Sequence, residues 1–338
     1  MKSLEAQLRA DVVALATPAG RMVGSPGHAE ARRFLCARLA ELHLEPYPGS
    51  IDHVLPYRQN GQDFFNLVGV LPGADREARP ILLGAHYDSV IDAPCADDNA
   101  AAVAITLAMA DRLRSSHPAR DVLVAFFDAE EPPYFLSQSM GSIRFVLDQL
   151  DARGVGFALI QDLTGHEISI PFLPPLVTGT VLPKIKNLLF MTGAESHPAL
   201  PALVHSALPA EGLSLVAALN EHVGDMSDHH IFRTMGLPYL FFSCGRWEHY
   251  HQRSDTPEKL AYTKMAHLAI FLADIARACA AADFPRAREH DTTDFETSLL
   301  KETLGGLLPL LLTILGLQKL ETRADMDALT SRLIGLGL

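Results

Sequence analysis

Five short apolar runs punctuate the chain: Phe64–Leu71, Ile81–Ala85, Val122–Phe127, Phe157–Ile160 and Tyr239–Phe242. Their hydrophobicity is nearly continuous, as in strands covered on both faces. Helical stretches separate them, notably over 98–115 and 139–150. Upstream, Leu4, Leu8, Val12 and Leu15 recur at helical spacing and predict an amphipathic helix over 3–16. The turn Gly24-Ser25-Pro26-Gly27 then leads into a second helix over 28–44. Alternation of this kind predicts an α/β sandwich with a largely parallel central sheet. At 338 residues and 48% apolar content, the chain is long enough to bury a sizeable core around it.

Charge narrows the partners. The formal net charge is -12, so phosphate backbones and anionic lipid are repelled, and neither nucleic acid nor a membrane is expected as a partner. The four cysteines, Cys36, Cys95, Cys244 and Cys279, form no CxxC pair and read as small buried hydrophobes. The N-terminus has acidic residues in its first helical turns and no apolar core of signal-peptide type, so a cytoplasmic location is expected. Residues 303–317, TLGGLLPLLLTILGL, are too short and too broken by Gly305, Gly306 and Pro309 to span a bilayer. They read as a buried helical hairpin, with an oligomer interface or a cap near the active site as the alternatives. A charged stretch over 319–328 and a last amphipathic helix follow.

Ligands of open α/β sheets bind at the C-terminal ends of the strands. ILLGA is followed by His86, Tyr87 and Asp88; VLVAFF by Asp128, Ala129, Glu130 and Glu131; FALI by Gln161 and Asp162; YLFFSCG by a segment carrying Glu248, His249, Tyr250 and His251. Asp97 and Asp98 open a helix between the first two. Imidazoles and carboxylates gathered in this way suit zinc, which takes nitrogen and oxygen ligands and keeps a position open in catalytic sites. A pair of metals about 3.5–4 Å apart also needs a bridging carboxylate, and a further unligated carboxylate can serve as base.

These segments resemble the co-catalytic zinc aminopeptidases of clan MH, relatives of glutaminyl cyclases and glutamate carboxypeptidase. The resemblance lies in GSPGHAEA, GAHYDS, ADDNAAAVA, FFDAEEP, IQDLTG, SDHHIF and YHQRSDTPEKL, in the family's order from about residue 19 to 260. It implies a three-layer α/β/α sandwich with a central mixed, mostly parallel twisted sheet. It also implies two zinc ions. His86 and Asp162 would hold one, Glu131 and His251 the other, and Asp98 would bridge them. Glu130 would be the general base, and Asp88 would orient His86 through its ring N–H. Asp97 then reads as a solvated or helix-capping neighbour, and His249 as a pocket-wall or surface residue. His229 and His230 fall in a motif that lies near the substrate cleft in relatives. AEEP is followed by Pro133-Tyr134-Phe135, more rigid than the usual turn there, and Ala100-Ala101-Ala102 replaces the small, glycine-containing run after the bridge.

The activity implied is hydrolysis of the N-terminal residue from a peptide with a free N-terminus, by a metallo-exopeptidase. Glutaminyl cyclisation with one zinc, or a carboxypeptidase or amidohydrolase reaction, is the alternative on the same fold. The single tryptophan, Trp247, weighs against a cyclase, and a carboxypeptidase would need a cation such as Arg233, Arg246 or Arg253 in the pocket. Residues 1–290 are expected to form the catalytic domain. Residues 291–338 fall outside the resemblance and are expected to form a helical extension packed on it or on a partner subunit in a homo-oligomer.

Overall fold

The computed structural model describes residues 1–168, 181–208, 210–285 and 289–335. Among the described residues, nine strands form one sheet: β1 (Glu45–Pro46), β2 (Val54–Gln59), β3 (Gln62–Leu71), β4 (Ile81–His86), β5 (Val122–Phe127), β6 (Phe157–Gln161), β7 (Leu188–Thr192), β8 (Ser214–Ala217) and β9 (Tyr239–Ser243). Their order is β1-β3-β5-β4-β6-β9-β7-β8, with β2 paired to β3. The four central strands, β5, β4, β6 and β9, run parallel. The sheet becomes antiparallel on either side, where β3 meets β5 and where β9 meets β7. The sheet is therefore mixed, with a parallel centre.

Strand alternation builds the layers. Ile81, Leu83 and Ala85 of β4, with Val122, Val124 and Phe126 of β5, point to one face. That face is covered by the helices Lys2–Leu15, Pro26–Glu41, Ala102–Arg114 and Tyr262–Ala281. Leu82, Leu123, Ala125 and Phe127 point to the other, against Ile143, Phe145, Ile231 and Phe232. Every residue of β4, β5 and β6 is buried, which is why these runs show no polar alternation.

The expected helices form with shifted ends. The first spans Lys2–Leu15, and the second starts at Pro26 behind Ser25, whose hydroxyl accepts from the His28 N–H. The stretch expected as one helix over 98–115 divides into an irregular turn, Ala96–Ala101, and a regular helix, Ala102–Arg114. Three of the four cysteines are buried, Cys36 is partly so, and none is bonded to another.

Beyond residue 290, the helix Thr293–Leu304 packs beside β8, and a bend of 106° separates it from Leu308–Ile314. A final helix runs from Arg323 to Gly335. Residues 336–338 of the expected extension lie outside the described residues. No single described helix is long and apolar enough to cross a membrane.

Candidate metal centre and active site

The parallel centre brings four strand ends side by side. His86 closes β4, Asp162 follows β6 directly, Glu130 and Glu131 lie just past β5, and His251 sits on the loop beyond β9. The irregular turn ahead of helix Ala102–Arg114 supplies Asp98, whose backbone departs from helical geometry. Ala129 and His251 adopt left-handed backbone conformations, with φ of 56° and 57°. The first of these turns the chain so that Glu130 and Glu131 leave it in different directions.

These side chains converge as two groups. His86, Glu130 and Asp162 form one, and Asp98, Glu131 and His251 form the other, each with its donor atoms within 4.8 Å of one another. Asp98 lies between them. Its Oδ1 is 3.4 Å from His86 Nε2 and its Oδ2 is 3.2 Å from His251 Nε2. Glu131 Oε2 is also 3.2 Å from His251 Nε2. Asp162 Oδ1 and Glu130 Oε2 lie 3.6 and 3.7 Å from His86 Nε2. All seven residues expected at the site are thus together, Asp88 included.

The donor set suits a divalent cation. His86, Asp98, Glu130, Glu131 and Asp162 are buried, yet His86 Nε2, Glu130 Oε1, Glu131 Oε1 and Asp162 Oδ1 have no hydrogen-bond partner. His251 Nε2 has none either. Burying several carboxylates against one another without a counter-charge is costly. Burial pushes the Glu130 carboxyl well above its usual range, and Asp162 and Glu131 add to this against the opposing pull of His86. Burial and the Asp98 charge push Glu131 up to about 8. Metal ions would neutralise the crowded carboxylates, and the two imidazoles add nitrogen donors of the kind zinc takes.

A model of peptidase family M28 matches residues 66–276, most of the chain. The chain belongs to peptidase family M28. The uncharacterized protein YfbL of Escherichia coli (strain K12) is 27% identical over 206 residues, 56% of this chain. The match spans 63% of that relative's length. Solved structures share the fold, among them the following three. A Zn-dependent exopeptidase from Parabacteroides distasonis superposes with a TM-score of 0.62 at 15% identity, over 81% of this chain and 97% of that one. Bacteroides thetaiotaomicron glutaminyl cyclase gives 0.61 at 14% identity, over 81% and 97%. The Legionella pneumophila LapA aminopeptidase gives 0.65 at 16% identity, over 83% and 73%.

In this M28 chain a layer of buried polar residues holds the cluster in place. Asp88 lies with Oδ1 3.3 Å from His86 Nδ1, and its two oxygens accept the backbone N–H groups of Glu130 and Glu131 at 3.1 Å each. It therefore fixes the Glu-Glu turn as well as facing the imidazole. Asp255 accepts from the N–H groups of Asp97 and Asp98. Asp97 is fully buried, not solvated: its carboxylate accepts from Gly165 N at 2.6 Å and lies 2.7 Å from His166 Nδ1. A Cβ at Gly165 would come within 2.9 Å of that carboxylate and 2.6 Å of Ala101 Cβ, so glycine permits this approach.

Arg21, which no sequence motif singles out, is 1% exposed. Its guanidinium donates to the carbonyls of Leu15, Tyr87, Pro94, Cys95 and Asp98. It ties the segment that carries Asp98 to the first helix and to the end of β4. His28 of the GSPGHAEA segment stacks on Tyr87 and lies 2.9 Å from Asp128.

The cluster opens into a cavity of about 550 Å³ lined by Asp98, Glu130, Glu131, Asp162 and His251. Arg246 lines it too, its guanidinium 5.0 Å from the Tyr250 ring centre. Arg233 is instead paired with Asp225, and Arg253 with Asp92. His249 sits beside Trp247 and Ser254, outside the cluster. Of the SDHH segment, His229 is buried against Phe241 and His230 is paired with Asp225, and neither lines the cavity. Asp228 beside them is fully buried with both oxygens unpartnered, and burial pushes its carboxyl up to about 7.

Proposed function

We propose that this M28 chain is a two-zinc aminopeptidase that removes the N-terminal residue of a peptide. The reading rests on Asp98, whose two oxygens face His86 and His251 separately. One carboxylate placed to serve two imidazole-bearing groups is the arrangement a metal pair needs. His86 and Asp162 would hold one zinc, Glu131 and His251 the other, and Asp98 both. When bound, zinc supplies Lewis-acid activation of water and of the scissile carbonyl.

The chain's own residues do the rest. Glu130 takes the proton of the attacking water and passes it to the leaving amine. Its carboxyl is buried beside the other carboxylates with Oε1 unpartnered, within reach of a water held there. Asp88 keeps Glu130 and Glu131 in register by holding both of their backbone N–H groups. Aminopeptidase and exopeptidase structures among those sharing the fold support the same reaction class.

Glu130→Gln tests the assigned base. The variant is expected to keep its metal, measured by plasma mass spectrometry, while kcat on an aminoacyl amide falls at least about a hundredfold. Lost metal would instead make Glu130 a ligand of the His86 group, and retained turnover would remove it from the mechanism. Glutaminyl cyclisation is the second reading, favoured by a fold similarity to a glutaminyl cyclase comparable to that with the peptidases. Assaying pyroglutamate beside released amino acid separates the two.

A further inference from the structure

The cavity that holds the metal-site carboxylates is also lined by Thr330 and Leu333, from the helix Arg323–Gly335. That helix lies outside residues 66–276, the span the family model matches. Side chains from three adjacent strands complete an apolar chamber around them: Phe190 on β7, Val216 on β8 and Phe241 on β9.

The helix is anchored there on three counts. Met326 and Leu329 are each 1% exposed and join the main core. With Thr330 and Leu333 they follow the three-and-four spacing of one helix face. Arg323 donates to both oxygens of the buried Glu296, at 2.7 and 2.8 Å. Asp327 accepts from Arg323 and lies 3.0 Å from His222 Nε2, and His222 itself lines the cavity.

We propose that the helix Arg323–Gly335 is the specificity wall of the substrate chamber, bounding the side chain of the substrate's N-terminal residue and selecting large apolar residues over small ones. This rests on the aminopeptidase reading. A chamber of this size with apolar walls rewards a side chain that fills it, because each added methylene displaces water from apolar surface. Thr330 and Leu333 set how far that side chain extends.

The test compares kcat/KM for leucyl, phenylalanyl and alanyl amides in the zinc-loaded full chain and in two variants. Leu333→Ala enlarges the chamber, and the leucyl-to-alanyl ratio is expected to fall about tenfold or more. Thr330→Phe fills it, and the phenylalanyl-to-alanyl ratio is expected to fall similarly. Two folded variants, checked by circular dichroism, whose ratios stay within twofold of the wild type would overturn the wall. If the zinc-loaded wild type cleaves none of the amides, the aminopeptidase reading fails by itself. Titration calorimetry with leucine and alanine hydroxamates in the same proteins then decides the wall: a changed affinity ratio sustains it, and an unchanged one overturns it.

Discussion

At the scale of single residues, the site depends on which neighbours of each ligand are buried. Glu131 and His251 share a 3.2 Å approach, and both face Asp98. Glu131→Ala is expected to lower bound zinc from two per chain to one or fewer, measured by plasma mass spectrometry; unchanged stoichiometry removes Glu131 from the ligand set. His229 gives a separate prediction from burial. It is enclosed beside Phe241 and Tyr239, and burial holds its imidazole down at about 4. The unfolded chain takes up a proton near pH 6.5 while the folded chain resists it down to about 4, so stability is full above 6.5 and is lost as the pH falls toward 4. From pH 7 to pH 5 this amounts to about 2 kcal/mol. Urea unfolding of the wild type and of His229→Phe should show that share of the acid sensitivity in the wild type alone; equal pH dependence in both would contradict it. The residue types at the strand ends were legible in sequence because few side chains bind zinc. The surroundings were not. Asp97 reads as a solvated or helix-capping neighbour of Asp98, since nothing in the sequence signals that Gly165 and His166 close over it. No sequence pattern singles out Arg21, because its five carbonyl partners belong to three separate segments.

At the scale of elements, the adjacent parallel ends of β5, β4, β6 and β9 place the cluster, and the turn Ala96–Ala101 completes it. That turn is held by Arg21 from one side and by Asp255 from the other. Arg21→Met would leave several buried carbonyls without a donor. It should lower unfolding stability by about 3 kcal/mol or more and reduce bound zinc with it. Chemical denaturation and metal analysis check both, and a loss below about 1 kcal/mol with full metal would mean that the clamp is dispensable. The central strands were readable because they are apolar throughout. β7 and β8 were not, and they are short, at five and four residues. Leu188–Thr192 is rich in leucine and methionine, which favour helices as readily as strands. Only the pairing with β9 and with each other makes them strands. The helix expected over 98–115 lost its first turn for a related reason: backbone positions around Asp98 are set by the partners of its N–H and carbonyl, and helical propensity does not decide them.

At the scale of the molecule, one sheet serves two ends. Its parallel centre aims the donors, and its β7–β8 side joins the helix Arg323–Gly335 in lining the cavity beside them. Sequence patterns carried the first of these, because chemistry leaves unusual residues at fixed places. They left the second open, because a leucine-rich tail packs equally well on a core, a partner or a cavity. Both ends meet in the proposed reaction, in which a pair of zinc ions bridged by Asp98 would act on a peptide whose first side chain occupies the chamber. The most direct measurement is zinc titration of the chelator-stripped full chain, following leucine released from a leucyl peptide and pyroglutamate formed from a glutaminyl peptide. Leucine release that climbs to a plateau at two equivalents of zinc per chain is the predicted result. A plateau at one equivalent, or pyroglutamate in place of released leucine, would contradict it.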